Sequence, residues 1–211
     1  MTLLAALRRA PVWLLVLTLC LSACFESEPL RDAAERGLQP TSGPAQITVL
    51  NRSVTVAGPA GYCIDAEATR ESSIEAFALL VRCRGTLRPA PVLSATVTGV
   101  PAPDSGDPGA LRRLTEFLPT PAGRAQLSRS GDPADVTVRE VTLSDNAIWL
   151  LVTDTGNPAS FDQTYWRAVL PIAGRIVTLS VLAAQEHPME AGSGLTILRG
   201  FVRRMRAVNG G

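Results

Sequence analysis

From Val136 to Leu182, apolar side chains recur at every second position through four short segments, and that period confines this stretch to a sheet. Val136, Val138 and Val141 precede the turn pair Asp145-Asn146, after which Ile148, Leu150 and Val152 alternate with Trp149, Leu151 and Thr153. Asn157-Pro158 marks a loop, and the segments Tyr165 to Ile172 and Arg175 to Leu182 flank Ala173-Gly174. Connections this short leave no room for a parallel crossover, so the four segments read as an antiparallel meander.

The last stretch changes period. At 100° per residue, Leu195, Leu198, Phe201, Val202, Met205 and Val208 fall on one arc, which predicts an amphipathic helix over about Glu190 to Val208. Arg199, Arg203 and Arg206 cluster beside that arc and read as a solvated face, with anionic headgroups as the alternative contact. Ahead of the meander, Ile47 to Leu50 and Val54 to Ala57 read as short strands, and Gly58-Pro59-Ala60-Gly61 as a turn continuing into Tyr62-Cys63-Ile64. Ala76 to Val81 is apolar without alternation, as in a strand covered on both faces, and Val92 to Val97 is a further strand. Pro101 to Gly109 reads as an exposed loop. Leu111, Leu114, Phe117 and Leu118 have helical spacing, Pro119 and Pro121 end it, and a second turn or two restarts over Pro121 to Leu127. The expectation is α+β: one domain over residues 46–211, an antiparallel sheet with a C-terminal four-strand meander, covered by a few helices including the C-terminal amphipathic one.

The N-terminus carries an address. Arg8-Arg9 precede an apolar run from Val12 to Leu21, about half the roughly 20 residues a spanning helix needs, and small residues follow before Cys24. That order is a signal peptide over residues 1–23. Leu21-Ser22-Ala23-Cys24 resembles the lipobox of bacterial lipoprotein precursors. The resemblance implies cleavage before Cys24, a diacylglyceryl thioether on its sulfur and an acyl group such as palmitate on its amine. Phe25, where an inner-membrane retention signal would have Asp, leans the expectation towards the outer membrane, with the domain facing the periplasm. An ordinary secretory cleavage is the alternative. Residues 24–45, with Glu26, Glu28, Arg31, Asp32, Glu35 and Arg36 among prolines and few apolar side chains, read as a lipidated cysteine and flexible tether.

Losing residues 1–23 removes two of the 20 basic side chains and leaves them in near balance with the 19 acidic ones, so no field for nucleic acid follows. All basic residues are arginine. Without lysine there is neither a phosphate-binding P-loop nor a Schiff-base amine. Of the four cysteines, Cys20 leaves with the signal peptide and Cys24 is the acylation position, so Cys63 and Cys83 remain. An even pair in an oxidising compartment predicts a disulfide, since neither a redox C-x-x-C nor a metal-ligand spacing is present.

A search for chemistry yields little. His187 is the single histidine, no G-x-S-x-G occurs, and Gly192 and Gly194 lack the rest of a dinucleotide fingerprint. Asp104, Asp107, Asp132, Asp135, Asp145, Asp154 and Asp162 mostly neighbour turn residues and read as turn chemistry. Trp149, Tyr165 and Trp166 are the candidate ligand groove: alternation sends Tyr165 and Trp166 to opposite faces, one into the core and the other towards a surface patch. The order strands, helix, meander and C-terminal helix resembles the α/β sandwich of PsbP-like proteins. The segments Gly61-Tyr62-Cys63-Ile64-Asp65, Pro121-Ala122-Gly123-Arg124 and Tyr165-Trp166-Arg167 are similar to those of uncharacterised alphaproteobacterial lipoproteins, a family that implies no catalytic residues. The expectation is a lipid-anchored envelope protein, a non-catalytic binding or assembly module with an envelope partner, no cofactor, no metal and no catalytic residue. A small-ligand or transport-accessory lipoprotein, and a periplasmic hydrolase using His187 or carboxylates, are the alternatives.

Overall fold

The computed structural model describes residues 40–85, 91–102, 108–156 and 160–210. The expected signal segment, Cys24, most of the tether, Asp104 and Asp107 lie outside them. Among the described residues nine strands and three helices follow one another: β1 (Gln46–Val49), β2 (Val54–Ala57), β3 (Tyr62–Glu71), β4 (Glu75–Arg82), β5 (Val92–Pro101), α1 (Pro108–Phe117), α2 (Pro121–Leu127), β6 (Val136–Ser144), β7 (Ala147–Asp154), β8 (Thr164–Ile172), β9 (Arg175–Leu182) and α3 (Ala191–Val208). This is an α+β fold. β3 to β9 form one seven-stranded sheet, in the order β3-β4-β5-β9-β8-β7-β6, and β1-β2 is a separate hairpin.

Every pairing in the large sheet is antiparallel. The meander β6-β7-β8-β9 is the one the alternation predicts. Its turns take left-handed backbone, with Asp145 and Asn146 at φ 50° and 52° and Ala173 and Gly174 at 48° and 73°. Two successive positive-φ residues match the right-handed twist of the flanking strands. The helical segments also stand where the prolines put them: the Thr120 side chain accepts the Gly123 N–H and caps α2, and Pro121 opens it without losing a needed donor.

One strand departs from expectation. Tyr62-Cys63-Ile64 is not a turn but the start of β3, a ten-residue edge strand paired to β4. Its alternation is hidden by a bulge between Asp65 and Arg70, where the Asp65 carboxylate accepts the Glu67 and Ala68 N–H groups. The opposite edge, β6, has its own bulge between Val138 and Glu140. Bulges at both margins interrupt the rows of unpaired backbone groups along which another chain would add.

Each face of the sheet is covered. On the first face α3 buries Leu198, Phe201, Val202 and Met205 against Ala95, Ala168, Leu170, Leu179 and Val181, with β1-β2 packed along its flank. Small alanines in the strands let the helix approach closely. On the second face Phe77, Leu79, Leu150, Val152 and Leu182 pack under Leu118, Leu127 and Phe161 from the α1–α2 side. β4 is therefore buried on both faces, as its unbroken apolar run predicts.

Cys63 and Cys83 form a disulfide between β3 and the end of β4, with Cα atoms 5.0 Å apart and 20 residues of separation. Closing a loop of that size restricts the unfolded chain, and the double variant Cys63→Ala/Cys83→Ala is expected to lose about 3 kcal/mol of stability. Denaturant titration of that variant against the oxidised protein checks it. An unchanged midpoint would mean that the sheet pairing alone holds this edge.

Candidate functional site

The three aromatic residues expected to form a groove are divided by the sheet. Trp149 and Trp166 lie on the α3 face, whereas Tyr165 belongs to the opposite core. Trp166 donates its Nε1–H to the Ala191 carbonyl oxygen at 2.7 Å, and its ring lies against Gly194 in the first turns of α3. Trp149 donates to the Ser144 carbonyl oxygen at 3.3 Å, and the Arg199 guanidinium stands 6.0 Å over its ring. Both indoles are buried, and their polar edges are satisfied by backbone. They clamp the meander to α3 instead of lining a surface with Tyr165.

Tyr165 leads to a cluster that sequence reasoning missed. Arg129 and Arg167 place their guanidinium carbons 5.7 and 5.4 Å from its ring centroid. Both arginines are buried, at 5 % and 4 % exposure, and Arg167 donates from Nε to the Ser180 hydroxyl at 3.2 Å. Beside them Asp154, at the end of β7, is 0 % exposed. Its carboxylate accepts the Arg129 backbone N–H at 3.2 Å through one oxygen and the Gly156 N–H at 2.9 Å through the other. Burial pushes the Asp154 carboxyl above its ordinary pKa, against the pull of those two N–H groups and of the Arg129 and Arg167 charges.

Each member arrives for a local reason. Asp154 shares strand parity with Leu150 and Val152, and Arg167 with Tyr165 and Val169, so alternation alone aims both at the second core. Arg129 comes from the segment after α2, and that segment is tied down again where Thr155 donates its N–H to the Asp135 carbonyl oxygen at 3.0 Å. With both carboxylate oxygens held by backbone donors, Asp154 acts as a clasp joining the α2–β6 connection to the sheet. Parity was the available signal; the neighbouring Thr155-Gly156 made Asp154 look like a turn residue.

Among the other described carboxylates Asp132 and Asp162 serve turns, accepting the Ala134 and Thr164 N–H groups, whereas the Asp135 carboxylate takes the Ser130 and Thr155 hydroxyls. His187 is exposed in the connection from β9 to α3. Among the described residues there is no group of three or more His, Cys, Asp or Glu placed to hold a metal ion, and no helix long and apolar enough to cross a membrane.

The other charged feature is the outer face of α3. Arg199, Arg203 and Arg204 are exposed and Arg206 is half-buried. Arg206 donates to the carbonyl oxygens of Asp145 and Asn146 in the β6–β7 turn.

No protein-family model matches the chain in sequence, and no curated protein does. Among solved structures it is similar to a mutant of Protein Mog1, at 12 % identity over 76 % of this chain and 91 % of that one, with a TM-score of 0.42.

Proposed function

We propose that this protein is a lipid-anchored component of a bacterial cell envelope, facing the periplasm, whose α+β domain is a non-catalytic binding or assembly module for another envelope component. The observation that carries the reading is Leu21-Ser22-Ala23-Cys24, placed after a basic and then apolar segment and followed by a polar stretch before the first strand. The disulfide between Cys63 and Cys83 supports it, because such bonds persist in oxidising compartments. The buried indoles and the Asp154 carboxylate are held by backbone groups, so the binding surface of this reading lies elsewhere, on the outside of the domain. Phe25 favours the outer membrane as the anchoring site.

Mass spectrometry of the N-terminal peptide tests the anchor. The expected mature chain begins at Cys24 with diacylglyceryl and acyl mass, and Cys24→Ser is expected to lose that mass and the membrane fraction with it. Each buried CH₂ contributes roughly 0.8 kcal/mol to membrane binding, so losing the acyl chains should shift the distribution almost completely. An unmodified Cys24 in the wild type would remove the basis of the reading. Cross-linking in intact cells, with Cys24→Ser as control, then reports whether a stoichiometric envelope partner depends on the anchor.

A further inference from the structure

We propose that the arginine face of α3 is a docking surface for an anionic, phosphate-bearing lipid surface, namely the membrane that carries the chain's own anchor; the choice of that membrane rests on the anchored reading above. Four arginines, Arg199, Arg203, Arg204 and Arg206, stand on α3, and the chain has no carboxylate side chain from Ala191 to its last residue. Helix-dipole compensation accounts for Arg206, the one basic residue in the last turn, but the effect falls off within that turn and leaves the others unexplained. Arg203 and Arg204 are exposed, and among the described residues neither takes part in a hydrogen bond or ion pair. The outer pair is held in place: Arg199 lies over the Trp149 ring and Arg206 is bonded to the β6–β7 turn. At 100° per residue Arg199, Arg203 and Arg206 line one side of the exposed face and Arg204 stands about 100° further round, so the solvent half of the helix carries four guanidinium groups, whose planar forks suit phosphate oxygens better than lysine would. By contrast α1 mixes Arg112 and Arg113 with Glu116.

The path of the chain leaves this face free to meet the membrane. Residues 41–44 are bonded to the ends of β3 and β4, through Thr41 N–H to the Arg82 carbonyl oxygen and Ile64 N–H to the Pro44 carbonyl oxygen. The β1-β2 hairpin that follows packs along α3, with Thr55 N–H donating to Asn209 Oδ1 at 2.8 Å. The segment leading from Cys24 therefore joins the domain beside the layer that contains α3. Between Cys24 and Pro40 the chain spans at most roughly 55 Å, so an anchored domain stays at high effective concentration near the surface and a weak attraction can orient it.

Arginine footprinting reads this directly. The full-length protein is reconstituted in vesicles of phosphatidylcholine, or of phosphatidylcholine mixed equally with phosphatidylglycerol, treated with phenylglyoxal and analysed by mass spectrometry for each arginine. Modification of Arg203 and Arg204 is expected to be several-fold slower on the anionic vesicles, with the protection lost in high salt and Arg112 unaffected. The double variant Arg203→Gln/Arg204→Gln touches no described partner, so it should fold normally and lose the protection of Arg199. Equal modification on both vesicles would overturn the proposal, as would protection that appears only when envelope proteins are added. The acyl mass on Cys24 is read in the same spectra. If it is absent the anchored reading fails, and mixing the unacylated protein with the same vesicles still decides whether the arginine face binds them.

Discussion

Phe201→Ala is expected to lower stability by about 3–5 kcal/mol, the usual cost of truncating a fully buried phenylalanine. Phe201 is 0 % exposed and is among the largest buried side chains, set in the core between α3 and the sheet. Part of the cost is the cavity left behind, because surrounding side chains relax only partially. The same core includes Ala95 and Ala168, too short to fill such a space, beside Leu170 and Leu179, which set how far it can close. A domain of this size has a total stability of about 5–15 kcal/mol, so this one substitution should remove a large share of it. Urea titration of the oxidised protein, followed by near-ultraviolet circular dichroism of Trp149 and Trp166, measures both the loss and the loosening of α3. A change under about 1 kcal/mol would show that α3 repacks around the missing ring.

Asp154→Ala is expected to cost a similar amount, about 3–5 kcal/mol, by a different route. It leaves the Arg129 and Gly156 N–H groups without their acceptor and removes a negative charge from beside the buried guanidinium groups. Asp154→Asn keeps one acceptor oxygen but turns an NH₂ towards a backbone donor, and should lose about 1–3 kcal/mol. The two variants also separate the opposing influences on the carboxyl. Its folded pKa is raised, with burial outweighing the arginines and the N–H groups, so it lies above the unfolded value of about 3.9. In the window between the two values the folded state holds the additional proton, and the contribution of Asp154 to stability falls as pH rises through it, then levels off. The wild type should therefore lose ground relative to Asp154→Asn as pH increases from about 4, a trend measurable by parallel denaturant titrations. The opposite trend would mean that the guanidinium charges outweigh burial.

Legibility from sequence followed the range of the interaction concerned. The α2 start at Pro121 depends on Thr120 and Gly123, three residues apart, and could be read off directly. The meander turns at Asp145-Asn146 and Ala173-Gly174 are equally local. β3 was not legible, because its bulge breaks the period and its exposed positions carry Glu67, Arg70 and Glu71 after a half-buried Asp65, the composition of a loop. The aromatic groove failed for another reason. Parity correctly separated Tyr165 from Trp166, but parity says nothing about what covers a face, and α3 covers the one that Trp166 occupies.

The disulfide belongs with the legible features, since on the expectation that Cys20 leaves with a signal peptide and Cys24 is acylated, the two remaining cysteines have one way to pair. So do the strands of the meander, the proline-separated helices and the amphipathic stripe of α3, all of which are written in patterns spanning a few residues. Only the tertiary structure decided that β9 pairs with β5 and so joins two three- and four-stranded runs into one sheet. It alone brought Arg129 to Asp154, and the β1-β2 hairpin to the flank of α3. The physical reason is that local patterns are set by backbone geometry and near neighbours, whereas the free energy of closing a long loop changes slowly with its length. Many long-range partners are then nearly equivalent in chain entropy, and the choice among them falls to the packing of side chains that meet only in the folded state.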